Sequence, residues 1–271
     1  MIIELLKSIV FGIVQGITEW LPISSTGHLL LFNEFMKLSG SKDFSDMFFT
    51  VIQFGSILAV LFLYFDKLNP FSGKKSEVQK KETWTLWIKV LIASVPAAIV
   101  GLVFNDVIHD LLYGPVTIAI MLILYGVLFI ILENSHRVPK IRNLGDMKFQ
   151  TALLIGVCQM LALIPGTSRS GATILGAVFF GCSRAVAAEF SFFMAIPVMF
   201  GASLLEIIKY GFAFSMQEII VLLVGMVVAF AVSMLAIKFL MSYIRRHDFK
   251  LFGWYRIVLG IIVLAVFALL P

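Results

Sequence analysis

Apolar and polar positions along this chain follow neither the stripe of a soluble amphipathic helix nor the alternation of a half-buried strand. Apolar residues run instead in long blocks, and a helix needs about 20 of them to cross a bilayer. Six blocks qualify, roughly 47–65, 86–104, 114–132, 186–208, 218–241 and 252–270. Two further apolar stretches, 8–35 and 151–180, are interrupted near the middle by Pro, Gly, Ser and Thr. The interruptions read Leu21-Pro22-Ile23-Ser24-Ser25-Thr26-Gly27-His28 and Pro165-Gly166-Thr167-Ser168-Arg169-Ser170-Gly171. Each half-segment covers about 12–14 residues, too few to cross alone. Irregular backbone at membrane depth is tolerated only where protein buries it or a wet cavity meets it. Each stretch therefore predicts a re-entrant helical hairpin with a polar tip.

The two hairpins read as copies of each other. Gly12, Gln15 and Pro22 align with Gly156, Gln159 and Pro165 when one gap is allowed, and three full spans follow each hairpin. Three is odd, so the second copy runs inverted relative to the first. The expected fold is an all-α polytopic membrane protein: an inverted repeat with six transmembrane helices and two re-entrant hairpins. It forms one integral membrane domain, 1–271, with repeats at about 1–135 and 148–271. Such repeats bring broken helices together near the midplane and form a site there.

Composition agrees with this reading. Of 271 residues, 60% are hydrophobic and 14% charged, against about 45–50% and about 25% in soluble domains. The mean hydropathy is +1.01. A soluble globule, a disordered chain and a nucleic-acid-binding protein are excluded, despite a net charge of +5. Lys and Arg here are first a topology signal. The side holding the N-terminus carries four of them in its loops (Lys7, Lys37, Lys42, Lys209), and the opposite side carries thirteen. That asymmetry predicts cytoplasmic loops at 66–85 and 133–150 and both termini outside. Residues 1–21 read as part of the mature fold rather than a signal peptide, for no small-residue cleavage site follows. Cys158 and Cys182 lie among small apolar residues and suggest two inert thiols rather than a disulfide or metal motif.

Ionisable side chains in apolar segments are expensive and by default mark function. Gln15 and Glu19 stand at i, i+4 on one helix face, His28 follows a run of three hydroxyls, and Arg169 lies between Ser168 and Ser170. This mixture suits a phosphorylated ligand. Arginine binds phosphate with a two-pronged fork. A Gly/Ser-rich turn opening a helix offers N–H groups and a positive dipole end. Ser24, Thr26, Gly166, Ser168, Ser170 and Thr173 are the candidate phosphate contacts. Gln15 and Glu19 supply oxygen ligands for Mg²⁺ or Ca²⁺. A histidine near Ser25 can activate a nucleophile or protonate a leaving group. Glu189, five residues after Arg184, reads as a structural pair or a cytoplasm-facing carboxylate. Lys89 and Lys238 read as snorkelling at helix ends, and Pro96 and Pro197 as kinks.

At this point the chain resembles a known family. Gln15-Gly16-Ile17-Thr18-Glu19 fits the (E/Q)xxxE motif of bacterial undecaprenyl-diphosphate phosphatases, the bacitracin resistance proteins. Pro165 to Thr173 fits their PGxSRSxxT motif, and Leu21 to His28 matches the stretch after the first motif. The first motif position is Gln15 rather than Glu, a form that the pattern allows, which leaves Glu19 as the one motif carboxylate. The resemblance implies a membrane hydrolase that converts undecaprenyl diphosphate to undecaprenyl phosphate and inorganic phosphate. It would recycle the lipid carrier for peptidoglycan and cell wall synthesis, and so support cell shape and bacitracin resistance. It further implies Glu19, Ser25, His28 and Arg169 as catalytic residues and dependence on Mg²⁺ or Ca²⁺. The site would open to the outer face of the plasma membrane, and a homodimer is possible. Ser25 is expected to act as nucleophile with His28 as general acid/base. Architecture alone leaves a second class open: a transporter or flippase of a phosphorylated lipid carrier, which broken helices would equally suit.

Overall fold

The computed structural model describes residues 1–211 and 213–269, apart from the side chains at 105, 106 and 109. It is all-helical, and its only extended pairing among the described residues is an isolated bridge between Ile141 and Cys182. The helices are α1 (Ile2–Thr18), α2 (Ser25–Phe35), α3 (Lys42–Leu63), α4 (Phe65–Leu68), α5 (Glu77–Leu112) and α6 (Pro115–Asn134). After them come α7 (Phe149–Met160), α8 (Arg169–Phe179), α9 (Arg184–Tyr210), α10 (Met216–Tyr243) and α11 (Lys250–Leu269). Six of these, α3, α5, α6, α9, α10 and α11, are long and apolar enough to cross a membrane. The last matches the expected span over 252–270, of which position 270 lies outside the described residues. Helix α5 starts nine residues before its apolar block, because charged Glu77, Lys80, Lys81 and Glu82 continue the helix beyond the apolar stretch. Pro96 and Pro197 sit inside α5 and α9, which continue on both sides of them.

The two interrupted stretches fold alike. In each, a helix stops at a Pro-containing turn and a second helix of 11 residues leaves it. Ser24 and Ser168 cap those second helices, and both hold a positive φ, 73° and 71°. Each hydroxyl accepts from the N–H three residues on, Gly27 at 3.3 Å and Gly171 at 3.1 Å. A side-chain cap of this kind replaces one of the partners that the first helical N–H groups lack. In each stretch, the chain after the second helix bonds to a residue near or ahead of the start of the first helix. Ser39, after α2, donates from its backbone N–H and its hydroxyl to Glu4 of α1, both at 2.8 Å. After α8, Gly181 accepts from Lys140 at 2.8 Å, just ahead of α7.

Packing shows the same correspondence. Glycines let α1 and α7 press against a long neighbour: a Cβ on Gly12 would strike the Gly225 carbonyl of α10, and one on Gly156 the Ala93 carbonyl of α5. The largest core cluster joins Trp20, Leu21 and Ile23 of the first turn to Phe190, Phe192 and Phe193 of α9. The polar ends of the bundle carry ion pairs. Arg184 binds Glu133, whose carboxylate also accepts from the Phe249 N–H at 3.0 Å, and Glu189 binds Lys67 at 2.7 Å. Glu189 is thus a structural pair, with Lys67 rather than Arg184 as its cation. Lys89 corrects the snorkelling reading. It is 5% exposed and donates to the Leu144 and Gly145 carbonyls, both at 3.3 Å, because the 144–146 turn folds over it. Lys238 is exposed, and both cysteines are free thiols.

Candidate active site

The two turns meet. Arg169, the first residue of α8, donates from Nη2 to Glu19 Oε1 at 2.9 Å, and Glu19 ends the first helix of the other stretch. Both side chains are nearly enclosed, 11% and 7% exposed. Arg169 Nη1 also donates to the Ser191 carbonyl of α9 at 2.7 Å, and its guanidinium lies 5.4 Å from the Trp20 ring. Trp20 is itself held edge-on by Phe192 at 5.3 Å. The other carboxylate oxygen, Oε2, accepts from Gln15 Nε2 and from Ser25 Oγ, both at 3.0 Å. Glu19 therefore sits at the centre of a network joining Gln15, Ser25 and Arg169. Charge-assisted bonds of this kind are roughly twice as strong as neutral ones.

These residues border a cavity of about 220 Å³ lined by Glu19, Ser25, Thr26, Gln53, Gln159, Gly166, Ser168 and Arg169 with apolar side chains of α5 and α9. The first residues of both 11-residue helices face it, Ser25 and Thr26 from α2 and Arg169 from α8. Two helix N-termini, each with a positive dipole end, converge on one space together with a guanidinium. Such an arrangement is chemically suited to an anion. Ser24 and Ser168, whose backbone conformation costs about 1–3 kcal/mol each, aim the two termini.

The expected phosphate contacts divide into two groups. Thr26, Gly166 and Ser168 line the cavity. Gly166 has φ +91°, and a Cβ there would lie 2.5 Å from the Ile118 carbonyl oxygen, so only glycine fits that wall. Ser24, Ser170 and Thr173 instead form the frame behind it. Ser170 Oγ donates to the Glu19 carbonyl at 3.0 Å, and Thr173 Oγ1 bonds the Ser191 hydroxyl at 2.7 Å. His28 is placed differently from the expected contact with Ser25. Its Nδ1 lies 2.7 Å from the Ser24 carbonyl and its Nε2 2.7 Å from the Tyr255 hydroxyl, with the two rings stacked at 5.6 Å. A carbonyl only accepts, so Nδ1 carries hydrogen and, in the neutral ring, Nε2 accepts from Tyr255. Ser25 opens α2 and its hydroxyl reaches back to Glu19, while α11 captures the imidazole.

Sequence reasoning missed several members of the site. Arg256 of α11 is 0% exposed. It donates to the Pro22 carbonyl at 3.3 Å and to the Gly166 and Thr167 carbonyls at 2.9 Å, so one side chain ties both turns. It also donates to Met121 at 3.3 Å and Leu122 at 3.4 Å. The signal was present, a lone Arg in an apolar span, but no motif accompanies it. Ser191 stands in the Glu189-Phe190-Ser191-Phe192 run, which also resembles the family, but nothing there pointed to a role for it; Tyr255 and Gln53 carried no such signal.

A divalent cation can be tested against the donor set. No group of three or more His, Cys, Asp or Glu that could hold a metal exists among the described residues, so no closed cage is formed from them. Gln15 Oε1 is buried and has no protein partner, and it lies on the side chain already bonded to Glu19. One carboxylate and one amide oxygen fit a cation that completes its shell with substrate oxygens, the usual habit of Mg²⁺.

A family model, described as Bacitracin resistance protein BacA, matches residues 8–262. The chain belongs to this family. It is 60% identical over 267 residues to a protein of Acetivibrio thermocellus named undecaprenyl-diphosphatase, covering 98% of each chain. Proteins of the same name from Lachnoclostridium phytofermentans and Enterococcus faecalis are 59% and 58% identical, covering 98% and 96% of this chain and equal shares of their own. This member of the BacA family is thus a multi-pass membrane protein whose motif residues meet around one cavity.

Proposed function

We propose that the chain hydrolyses undecaprenyl diphosphate to undecaprenyl phosphate and inorganic phosphate, returning the lipid carrier to cell wall synthesis and conferring bacitracin resistance. The observation that carries this reading is the cavity where Ser25, Glu19 and Arg169 meet between two helix N-termini. A carrier needs a phosphate site but no hydroxyl held against a carboxylate. The relatives' enzyme name favours the hydrolase over the transporter or flippase.

In this mechanism Arg169 and the N–H groups opening α2 and α8 hold the terminal phosphoryl group and offset the charge that develops on it. Ser25 Oγ attacks phosphorus and its proton passes to Glu19 Oε2, 3.0 Å away. The bond to the bridging oxygen breaks and undecaprenyl phosphate leaves. Water then releases phosphate from Ser25. Glu19 thus takes the base role expected of His28, and His28 acts through Ser24, whose carbonyl it holds. Mg²⁺ or Ca²⁺, held by Glu19 and Gln15 with substrate oxygens, would neutralise charge on the diphosphate.

The same proposal makes the molecule two inverted repeats, about 1–135 and 148–271, each opening with a re-entrant hairpin. The matched serine caps and matched glycine crossings support it. The cavity opens to the outer face, with both termini outside and a homodimer as the working unit. The test is release of inorganic phosphate from undecaprenyl diphosphate by the purified chain in detergent with Mg²⁺ or Ca²⁺. Release that stops on chelation is expected. No release with either metal overturns the reading, and release that persists in excess chelator removes the cation from it. The mass of the active particle tests the dimer.

A further inference from the structure

Gln159, near the C-terminus of α7, is 2% exposed and lines the cavity, yet neither its amide nitrogen nor its oxygen has a partner in the protein. Buried polar groups are ordinarily paired, and an orphaned one is costly. Gln53, Ser25 and Arg169, which also line the cavity, are engaged: Gln53 Nε2 on the Phe49 carbonyl at 3.4 Å, Ser25 and Arg169 on Glu19; behind the lining, Gln15 Nε2 donates to Glu19 as well. Arg169 and Gln15 leave one orphaned atom each, and Gln159 leaves both of its own. It is also bound by position, since Gly156 one turn earlier packs α7 onto α5 and fixes the direction of the helix.

We propose that Gln159 is a substrate-binding residue that recognises the second phosphoryl group of a diphosphate. The inference rests on the hydrolase reading above. Ser25 and Arg169 are committed there to the phosphoryl group that is transferred, and Gln159 is the lining side chain left with both polar atoms buried and unpartnered. A carboxamide suits the second phosphoryl group. Its NH₂ donates to a non-bridging phosphate oxygen, and its oxygen accepts from a protonated phosphate or from water. A neutral donor contributes binding without adding a cation, which keeps the cationic fork for the phosphorus under attack. Gln159 therefore distinguishes a diphosphate from the monophosphate product, which offers one phosphoryl group only.

The test compares Gln159→Leu, similar in size, and Gln159→Glu, similar in shape with a negative charge, against the wild type in detergent. Gln159→Leu is expected to raise KM for undecaprenyl diphosphate about ten- to a hundredfold with kcat changed far less, the scale of one hydrogen bond to a charged group. Gln159→Glu raises KM further, through repulsion. The melting temperature of the ligand-free Leu variant stays equal or rises, because an orphaned buried amide has been removed. A structural role predicts the reverse, a lower melting temperature with KM unchanged. That result, or wild-type KM in both variants, overturns the proposal while phosphate release by the wild type leaves the hydrolase reading standing. If the wild type releases no phosphate, the hydrolase reading falls. Gln159 is then judged by imidodiphosphate, a non-hydrolysable diphosphate: equal thermal protection of wild type and Gln159→Leu overturns the assignment, and protection lost only in the variant supports it. The same measurement decides for a variant too unstable to assay, with Gln159→Glu in place of Gln159→Leu.

Discussion

Replacing Arg256 by Met is expected to cost the protein both stability and turnover. Methionine roughly keeps the length of the side chain and removes its five donors. Of the carbonyls Arg256 serves, those of Pro22, Gly166 and Thr167 belong to the two non-helical turns and sit inside the bundle. An unsatisfied buried acceptor costs about 1–3 kcal/mol. Three of them amount to about 3–9 kcal/mol, and relief from burying a guanidinium works in the opposite direction. The net falls near the range for removing one partner of a buried charge pair, about 3–5 kcal/mol. At about 2–4 °C per kcal/mol for a chain near this size, the unfolding midpoint in detergent should drop by roughly 6–20 °C. Arg256→Lys keeps the charge but gathers its donors on one nitrogen, which cannot span carbonyls from two turns, and should fall between.

Turnover reports a different consequence. The turns that Arg256 ties lead directly into Ser25 and Arg169, and a displacement of 1 Å at a reacting group can cost about a hundredfold. We expect Arg256→Met, assayed well below its own midpoint, to lose about that factor in kcat with KM changed less. Arg256 is then a positioning residue. A variant that unfolds within 2 °C of wild type (an assay threshold, about 0.5–1 kcal/mol) and keeps its kcat would refute the reasoning.

Arg169→Lys keeps the charge and loses the fork that spans Glu19 and the Ser191 carbonyl, so kcat should fall about 10²–10³-fold while the protein still folds; near wild-type turnover would remove Arg169 from the transfer step. Ser25→Ala should abolish turnover, and rapid quenching of wild type with labelled substrate should trap phosphoserine at Ser25; no trapped label, with a few per cent of the rate left in the variant, would replace the covalent step by direct attack of water. Single cysteines at Ser76 and Asn143 should stay unlabelled by an impermeant thiol reagent in intact cells, and labelling at both positions would invert the orientation.

What could be read from the sequence depended on which partner a residue has. The six spans were legible because a bilayer crossing imposes a length, and the broken stretches because Pro, Gly and Ser interrupt that length visibly. Arg169 was legible as well: a cation in an apolar hairpin needs an anion, and Glu19 supplies it across 150 residues of chain. Arg256 carries the same charge in the same kind of setting, yet its partners are backbone carbonyls, which every residue type possesses and no motif marks. The same holds for Lys89 and the 144–145 carbonyls. Local spacing misled at His28. Three residues separate it from Ser25, but Tyr255, 227 residues away, holds the imidazole, while Glu19, six residues back across the turn, holds the serine. Local pairing misled at Arg184 too, since five residues along a helix do not bring it to Glu189, and each finds its partner on another element. Gln159 lies between these cases. Its alignment with Gln15 was visible, but Gln15 has Glu19 one turn on and Gln159 has Leu163, so the second amide is left to meet whatever enters the cavity.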